Sequence, residues 1–158
     1  MNYINKPSDN LGGISRFYLV PVDQYALLST PDDDQIRTLS ISSFDTAWEI
    51  SAIYQTIQYS EKLQSSSSGF YYDKSFTARI SKDSPQTASD LRSLLNRTWI
   101  LIFQDQNGSW RVASNPTYPM RIEFSSDTGA KISDLNHFQI RLTSKSADHS
   151  FFINNPLP

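Results

Sequence analysis

The residues best suited to acid–base or metal chemistry in this sequence are its only two histidines, His137 and His149. A neutral imidazole can act as a base near neutral pH, and two imidazoles can share a metal ion. Neither histidine has a second one at the four-residue spacing that places two ligands on one helix face. We therefore interpret both as surface or loop residues without a chemical role.

The acidic residues form a second set of candidates. Asp32–Asp34 are three consecutive aspartates that could bind calcium, but the spacing of an EF-hand loop and its final glutamate are absent. Glycoside hydrolysis needs two carboxylates held at one bond, and the sequence brings together no pair among Glu49, Glu61 and Glu123. The aspartate triplet is therefore interpreted as a solvated loop.

Motifs for nucleophilic catalysis and nucleotide binding are also absent. No serine lies in a G-x-S-x-G elbow, and the chain contains neither a G-x-x-x-x-G-K-[ST] loop nor a G-x-G-x-x-G turn. The sequence thus predicts a protein that is not an enzyme, with no catalytic residue, no cofactor and no metal.

Aromatic and basic side chains leave two alternatives open. A group of tyrosines could stack on carbohydrate rings, although tyrosines on strands more often pack across the sheet. Three arginines that point outward from predicted strands could form an ordinary solvated face or the polar inner wall of an oligomeric ring. These residues are Tyr18, Tyr25, Tyr54, Tyr71 and Tyr72, and Arg79, Arg121 and Arg141.

Composition limits the classes of partner. The 158 residues include 14 basic and 16 acidic side chains and no cysteine. A net charge of −2 argues against a dedicated nucleic-acid binder, since phosphate affinity comes from clustered lysine and arginine. No apolar run approaches the roughly 20 residues of a membrane span. Because Met1–Pro7 lacks a hydrophobic signal core, we expect synthesis in the cytoplasm and no membrane partner.

The elements that would position these residues are mostly strands. We predict an N-terminal arm over residues 1–13 and a single β-rich domain over residues 14–158. Strands are predicted at Ile14–Val22, where Pro21 marks an edge strand or an early end, and at Ile36–Ser42. Two further strands, Ala47–Gln58 and Phe70–Ser81, are predicted to pair as a long projecting hairpin whose flexible tip is the serine-rich Gln64–Gly69.

One helix is predicted where Ser84 supplies a hydroxyl cap and Pro85 the first helical residue. Its apolar stripe at helical spacing is expected to join the core and to cover one side of the strand that follows. That strand, Trp99–Phe103, is apolar on both faces and is therefore predicted to be central. The stripe consists of Ala88, Leu91, Leu94 and Leu95.

The C-terminal part predicts a tight turn at Gln106–Gly108, a return strand and two alternating strands, with a long loop between the last two. The loop, Ser125–His137, is longer than a tight hairpin needs, and we expect it to bridge subunits. Together with the serine-rich tip it supplies the predicted subunit-interface residues, which are Gln64, Ser66, Gly69, Asp127, Ile132 and Leu135.

Four segments carry a family resemblance that covers roughly residues 75 to 145. The succession of Leu94–Trp99, Phe103–Arg111, Asp127–Gly129 and Ser133–Asn136 resembles structural proteins of bacteriophages and prophages of Bacteroidetes-type hosts, of the kind found in tails or head–tail connectors. The resemblance implies a mainly β fold with one α-helix: a two-sheet β-sandwich or partial barrel flanked by the helix, similar to tail-tube and tail-terminator proteins. It implies no active-site residues.

The functional expectation combines these observations. We expect a virion structural protein of a phage tail or neck, not an enzyme, that assembles with copies of itself into a ring and contacts other tail or neck proteins. A polar inner wall would let DNA pass without specific contacts. The alternative is a carbohydrate- or surface-binding β-sandwich module, such as a fibre or baseplate domain, that uses exposed aromatic side chains.

Overall fold

A computed structural model describes residues 12–81, 84–127 and 137–157. Within them the chain forms eleven strands, one α-helix and one short 3-10 turn at Val22–Gln24. The strands and the helix are β1 Ile14–Pro21, β2 Tyr25–Leu28, β3 Leu39–Ile41, β4 Trp48–Glu49, β5 Gln58–Ser66, β6 Gly69–Ser81, α1 Pro85–Leu94, β7 Trp99–Asp105, β8 Trp110–Val112, β9 Arg121–Asp127, β10 His137–Ser146 and β11 Phe151–Ile153.

The strands form three antiparallel sheets. One has five strands in the order β11-β8-β7-β1-β4, a second has four in the order β5-β6-β10-β9, and β2 pairs with β3 in the third. The predicted mainly β, sandwich-like fold with one helix is therefore confirmed for the described residues. The strand predicted to be central, β7, lies inside the five-stranded sheet and is buried from Trp99 to Phe103.

The main core lies between the four- and five-stranded sheets. Phe17 of β1 and Phe76 of β6 meet there with ring centroids 4.7 Å apart, and Leu101 of β7 and Ile140 of β10 are fully buried. A second apolar cluster covers the opposite face of the five-stranded sheet, where β2 and β3 pack over Ile100 and related side chains. The five-stranded sheet is thus apolar on both faces because each face has its own cover.

The cover of β7 differs from the prediction that the helix shields one side. The four-stranded sheet and the β2–β3 pair provide most of the apolar contacts. The helix α1 contributes Leu91 and Leu94 to the main core, whereas the predicted core residue Leu95 is 44% exposed. Leu95 is the C-terminal cap of the helix, where the chain turns toward β7 and the helical stripe ends.

Local chemistry explains the start of the helix and the turn that follows β7. The Thr87 amide donates to Ser84 Oγ at 3.2 Å, and Pro85 follows the cap as predicted. At the predicted tight turn, Asp105 Oδ1 accepts hydrogen bonds from the Asn107 and Ser109 amides, both at 2.9 Å. Gly108 has a φ of 86°, a conformation that glycine adopts without a steric penalty.

The predicted first strand of the long hairpin is wrong. β6 pairs with β5, Gln58–Ser66, and not with Ala47–Gln58. Within that segment Trp48 and Glu49 form β4, which pairs with β1 in the other sheet, and the last residue, Gln58, begins β5. The change of apolar phase after Ala52 marks the departure of the chain from one sheet before it enters the next, with Gln55 at a φ of 61° between them.

Three other strands have boundaries that differ from the prediction. The second predicted strand, Ile36–Ser42, shortens to β3, and Pro21 ends β1 as its last residue. β9 continues to Asp127, which pairs with His137, so Ser125–Asp127 belong to a strand and not to the predicted loop. Ile132 and Leu135 lie outside the described residues.

Candidate assembly surface

The β5–β6 hairpin turns tightly at its tip. Ser66 and Gly69 are register partners across a two-residue turn formed by Ser67 and Ser68. The Ser66 hydroxyl donates to the Gly69 carbonyl at 3.1 Å and accepts from the Ser68 amide at 3.3 Å. Gly69 has a φ of 120°, so a side chain at this position would strain the turn. Serine hydroxyls thus cap the turn, and glycine permits it.

The hairpin extends beyond the sheet that carries it. β10 pairs with β6 from Ser81 only as far as Tyr72. Beyond Tyr72, the tip of the hairpin has no further strand neighbour among the described residues. Leu63 is 58% exposed and Phe70 is 74% exposed in this projecting part. Exposed large apolar side chains on a projecting element are typical of contact surfaces.

Leu63 and Phe70 lie on the same face of the hairpin as the core. The β5–β6 register pairs Tyr59 with Phe76 and Leu63 with Tyr72, and Phe70 follows in the same alternation. Since side chains of one sheet face recur every second residue, the core face of the sheet continues outward onto the tip. We define the tip surface as Leu63, Phe70 and the serines Ser65–Ser68 between them.

A buried lysine holds the base of this hairpin. Lys74 is 1% exposed, and its Nζ donates to the Ala113 carbonyl at 2.8 Å and to Ser146 Oγ at 3.4 Å. Glu61 Oε2 lies 3.9 Å from the same Nζ. Lys74 therefore connects β6 to the segment after β8 and to the end of β10.

The Glu61 carboxylate completes the anchor. Its Oε2 accepts a hydrogen bond from the Tyr59 hydroxyl at 2.8 Å and from the Ser150 amide at 2.7 Å. We call Lys74, Glu61, Tyr59, Ser146 and Ser150 the anchor cluster. It ties the strand pair to the C-terminal segment at the point where the hairpin leaves the sheet.

The electrostatics of the anchor cluster favour a structural role. Burial lowers the pKa of Lys74, and the neighbouring carboxylates of Glu61 and Asp148 partly oppose this effect. Burial, followed by the negative charge of Glu61, raises the pKa of Tyr59. Tyr59 therefore remains a hydrogen-bond donor across the neutral range, and the side chain of Lys74 is enclosed, so the cluster holds the strands in place.

The anchor cluster was not predicted from the sequence, although the sequence contains one signal for it. Lys74 lies in phase with Phe76, Ala78 and Ile80, which alternate along β6 and are buried. A lysine at an inward position of an alternating strand requires buried partners. Glu61 could not be assigned to it because the wrong strand had been predicted opposite β6.

The predicted interface residues fall in different places. Gln64, Ser66 and Gly69 lie at the exposed hairpin tip, as the sequence analysis placed them. Asp127 is exposed at the far end of β9, on the opposite edge of the four-stranded sheet. The structure therefore does not bring Asp127 together with the tip.

The outer face of the four-stranded sheet is polar. Arg141 of β10 is flanked in register by Thr77 of β6 and Glu123 of β9. Arg79 and Arg121 are exposed on the same face, in agreement with their predicted outward orientation. The mixture of charges and hydroxyls makes this a hydrated surface with both signs of charge.

The other sequence candidates remain dispersed. His149 packs against Phe151 with centroids 4.7 Å apart, and Tyr18 is buried with its hydroxyl on Glu49. Asp32 Oδ1 accepts the Ile36 amide within its loop. In residues 12–81, 84–127 and 137–157, no group of three histidine, cysteine, aspartate or glutamate side chains is placed to hold a metal ion.

Comparisons of the chain with protein-family models, with curated proteins and with solved structures found no match. None of the helices in the described ranges has the length and apolar character needed to cross a membrane.

Proposed function

We propose that this chain is a structural subunit of a bacteriophage tail or neck that assembles with copies of itself into a ring. The observation that carries the proposal is the projecting β5–β6 hairpin, whose exposed Leu63 and Phe70 continue the core face beyond the sheet. A lone subunit leaves these side chains in water, and a neighbouring subunit would bury them. The phage setting rests on the resemblance described above.

Two further features support a role in assembly. The outer strands of the four-stranded sheet, β5 and β9, have one unpaired edge each among the described strands, and such edges offer backbone donors and acceptors to a neighbour. The polar outer face around Arg79 and Arg141 suits a wall along which DNA passes without specific contacts, because its charges are mixed. The same proposal implies that other tail or neck proteins are partners of this chain and that the protein is located in the virion.

A double substitution at the hairpin tip tests the assembly. Leu63→Ser combined with Phe70→Ser should leave the melting temperature near its original value, because both side chains are exposed. The dissociation constant of the assembly should rise by at least about tenfold for each side chain lost from a central contact. Light scattering after size exclusion, over a range of protein concentrations, measures the change in mass.

Leu27→Ser is the matched control, because Leu27 is another exposed leucine, on β2. The control should assemble as the unaltered protein does, and electron microscopy should show rings in both. An unaltered protein that remains monomeric at every concentration, alone and with tail proteins, would contradict the proposal. Mass spectrometry of purified particles tests the virion location separately.

A carbohydrate-binding module is the second candidate function, favoured by a groove beside the exposed Tyr54. The groove has a volume of about 360 Å³, and Gln55 and Gln106 also line it. An aromatic ring with neighbouring amides is suited to sugar stacking and hydrogen bonding. Binding of the monomer on a glycan array, lost in Tyr54→Ala, would favour this candidate over the ring.

A further inference from the structure

A second groove lies at the edge of the four-stranded sheet farthest from the hairpin. It has a volume of about 810 Å³ and lies between the turn after β1, the end of α1 and the start of β9. Leu95, the helix-cap residue that the sequence placed in the core, is exposed at its wall. We define the Leu95 groove by its lining residues Val22, Asp23, Leu95, Arg97, Arg121 and Glu123.

We infer that the tip surface of one subunit docks in the Leu95 groove of the next. This inference rests on the proposed function, since it names the surface that receives the hairpin within the ring. The order β5-β6-β10-β9 places the hairpin strands at one edge of the sheet and the groove strand β9 at the other. Three strand spacings of about 4.8 Å separate those edges.

The arrangement requires a second copy as the partner. The tip of a given chain is exposed on its own hairpin, at the edge opposite its own groove. A contact between two different surfaces of identical chains is heterologous, so every subunit can use both surfaces at once. Repetition of the same step closes a ring when the rotation between subunits permits it.

The chemistry of the two surfaces is complementary. The segment from Leu63 to Tyr72 carries no charged residue, and it presents two apolar side chains and a row of hydroxyls. The groove has apolar surface at Val22 and Leu95, and its rim holds two acids and two bases, Asp23, Glu123, Arg97 and Arg121. The two acids and two bases of the rim balance each other, so a tip without charge can enter the groove. Its hydroxyls can donate hydrogen bonds to the acids and accept hydrogen bonds from the bases.

The charge balance also disfavours other partners. A strongly acidic or basic peptide would meet like charges on half of the rim, and like charges in contact at an interface are costly. A wholly apolar partner would cover the four rim charges without offering them hydrogen bonds. The serine-rich tip with its two apolar anchors avoids both costs.

Disulfide cross-linking tests the contact directly, because the chain has no cysteine of its own. Phe70→Cys and Leu95→Cys are made in separate chains, which are mixed and treated with a mild oxidant. Both positions are exposed, and thermal melting verifies that each variant is folded. A disulfide requires Cα atoms about 4.4–6.8 Å apart, so efficient cross-linking reports close contact between the two positions.

The expected result is a cross-linked heterodimer from the mixture, and a ladder of covalent oligomers when both substitutions are in one chain. Phe70→Cys mixed with Leu27→Cys is the matched control and should lose the heterodimer. Oligomers of the two mixed variants by light scattering, without a cross-linked heterodimer, would overturn the docking inference and leave the ring proposal intact. Cross-linking of Leu95→Cys with itself would also overturn the inference, because it would indicate a symmetric contact.

If the unaltered protein is a monomer at all concentrations and the mixed cysteine variants give no heterodimer, both the docking inference and the ring proposal are contradicted. Leu63→Ser is then added to the Phe70→Cys chain. An unchanged rate of cross-linking to the Leu95→Cys chain would contradict the role of Leu63 as the second anchor. Light scattering and cross-linking therefore separate failure of the ring from failure of this particular contact.

Discussion

Leu101→Ala is expected to lower the free energy of unfolding by about 2–5 kcal/mol, the cost of removing a buried leucine and leaving a cavity. Leu101 has no exposed surface and lies in the middle of β7, beside Leu19 of β1 in register. Its side chain belongs to the main core between the two large sheets. Because sheets cover it from both directions, the surrounding structure can relax only partly into the space.

Urea unfolding of the variant and the unaltered protein measures this loss. Leu27→Ala is the matched control, since the same atoms are removed from a leucine that is exposed. The control should change stability by no more than about 0.5 kcal/mol. A loss at Leu101 as small as that of the control would mean that β7 is not the centre of the core.

The sequence predicted β7 and α1 well because strong local signals and tertiary packing agree there. Trp99–Phe103 is apolar at every position, which only a strand covered on both faces can bury. Ser84 and Pro85 define the start of the helix independently of its neighbours. Asn107 and Gly108 define the next turn in the same way.

The partner of β6 could not be predicted in the same way. β5 is an outer strand, and only part of it contacts the core, so its sequence has little apolar alternation. Ala47–Gln58 has more apolar residues and therefore appeared to be the better partner. Its apolar side chains, such as Trp48 and Ile50, pack against the core from β4 and the loop that follows. The pairing of a strand depends on which edge of the sheet is free, and the sequence of the strand itself does not contain that information.

The candidate site could be predicted only in part, because local sequence signals identify the hairpin tip but not the groove. The serine run in Gln64–Gly69 and its glycine indicate a hairpin tip whichever strand precedes it. The Leu95 groove required tertiary structure, because it brings together three segments distant in sequence. Leu95 continues the helical stripe in sequence, but it is the cap residue after α1 ends at Leu94 and its side chain is exposed.

Glu61→Ala is expected to lower the free energy of unfolding by on the order of 3 kcal/mol, because it removes one partner of a buried ion pair. Lys74 would keep its charge in an enclosed site and lose the carboxylate 3.9 Å away. The Tyr59 hydroxyl and the Ser150 amide would lose their shared acceptor. The Ala113 carbonyl would remain as a partner of Lys74, so the fold should survive in a weakened form.

Glu123→Ala is the matched control, since it removes an exposed glutamate opposite Arg141 on the same sheet. Even an exposed ion pair contributes at most about 1 kcal/mol, so the loss of this exposed carboxylate should be nearly neutral. Equal losses in the two variants, measured by urea unfolding at neutral pH, would contradict the anchor role of Glu61.

The pH dependence of the same variant tests the burial of Lys74. Burial lowers the pKa of Lys74 below its ordinary value of 10.5, and Glu61 opposes that shift. Between the folded-state pKa and 10.5 the unfolded chain binds more protons at this residue, so its contribution makes stability increase as pH rises. Removing Glu61 should lower the folded-state pKa further and move the start of that increase to lower pH.

The comparison should be made between pH 7 and about pH 9.5, below the range in which Tyr59 opposes the effect. The pKa of Tyr59 is raised above its ordinary value of 10.0, so deprotonation of this residue in the unfolded chain lowers stability only as pH passes that value. Within the chosen range, Glu61→Ala should regain part of its lost stability as pH rises, relative to Glu123→Ala. A difference between the two variants that stays constant with pH would contradict the expected further fall in the pKa of Lys74.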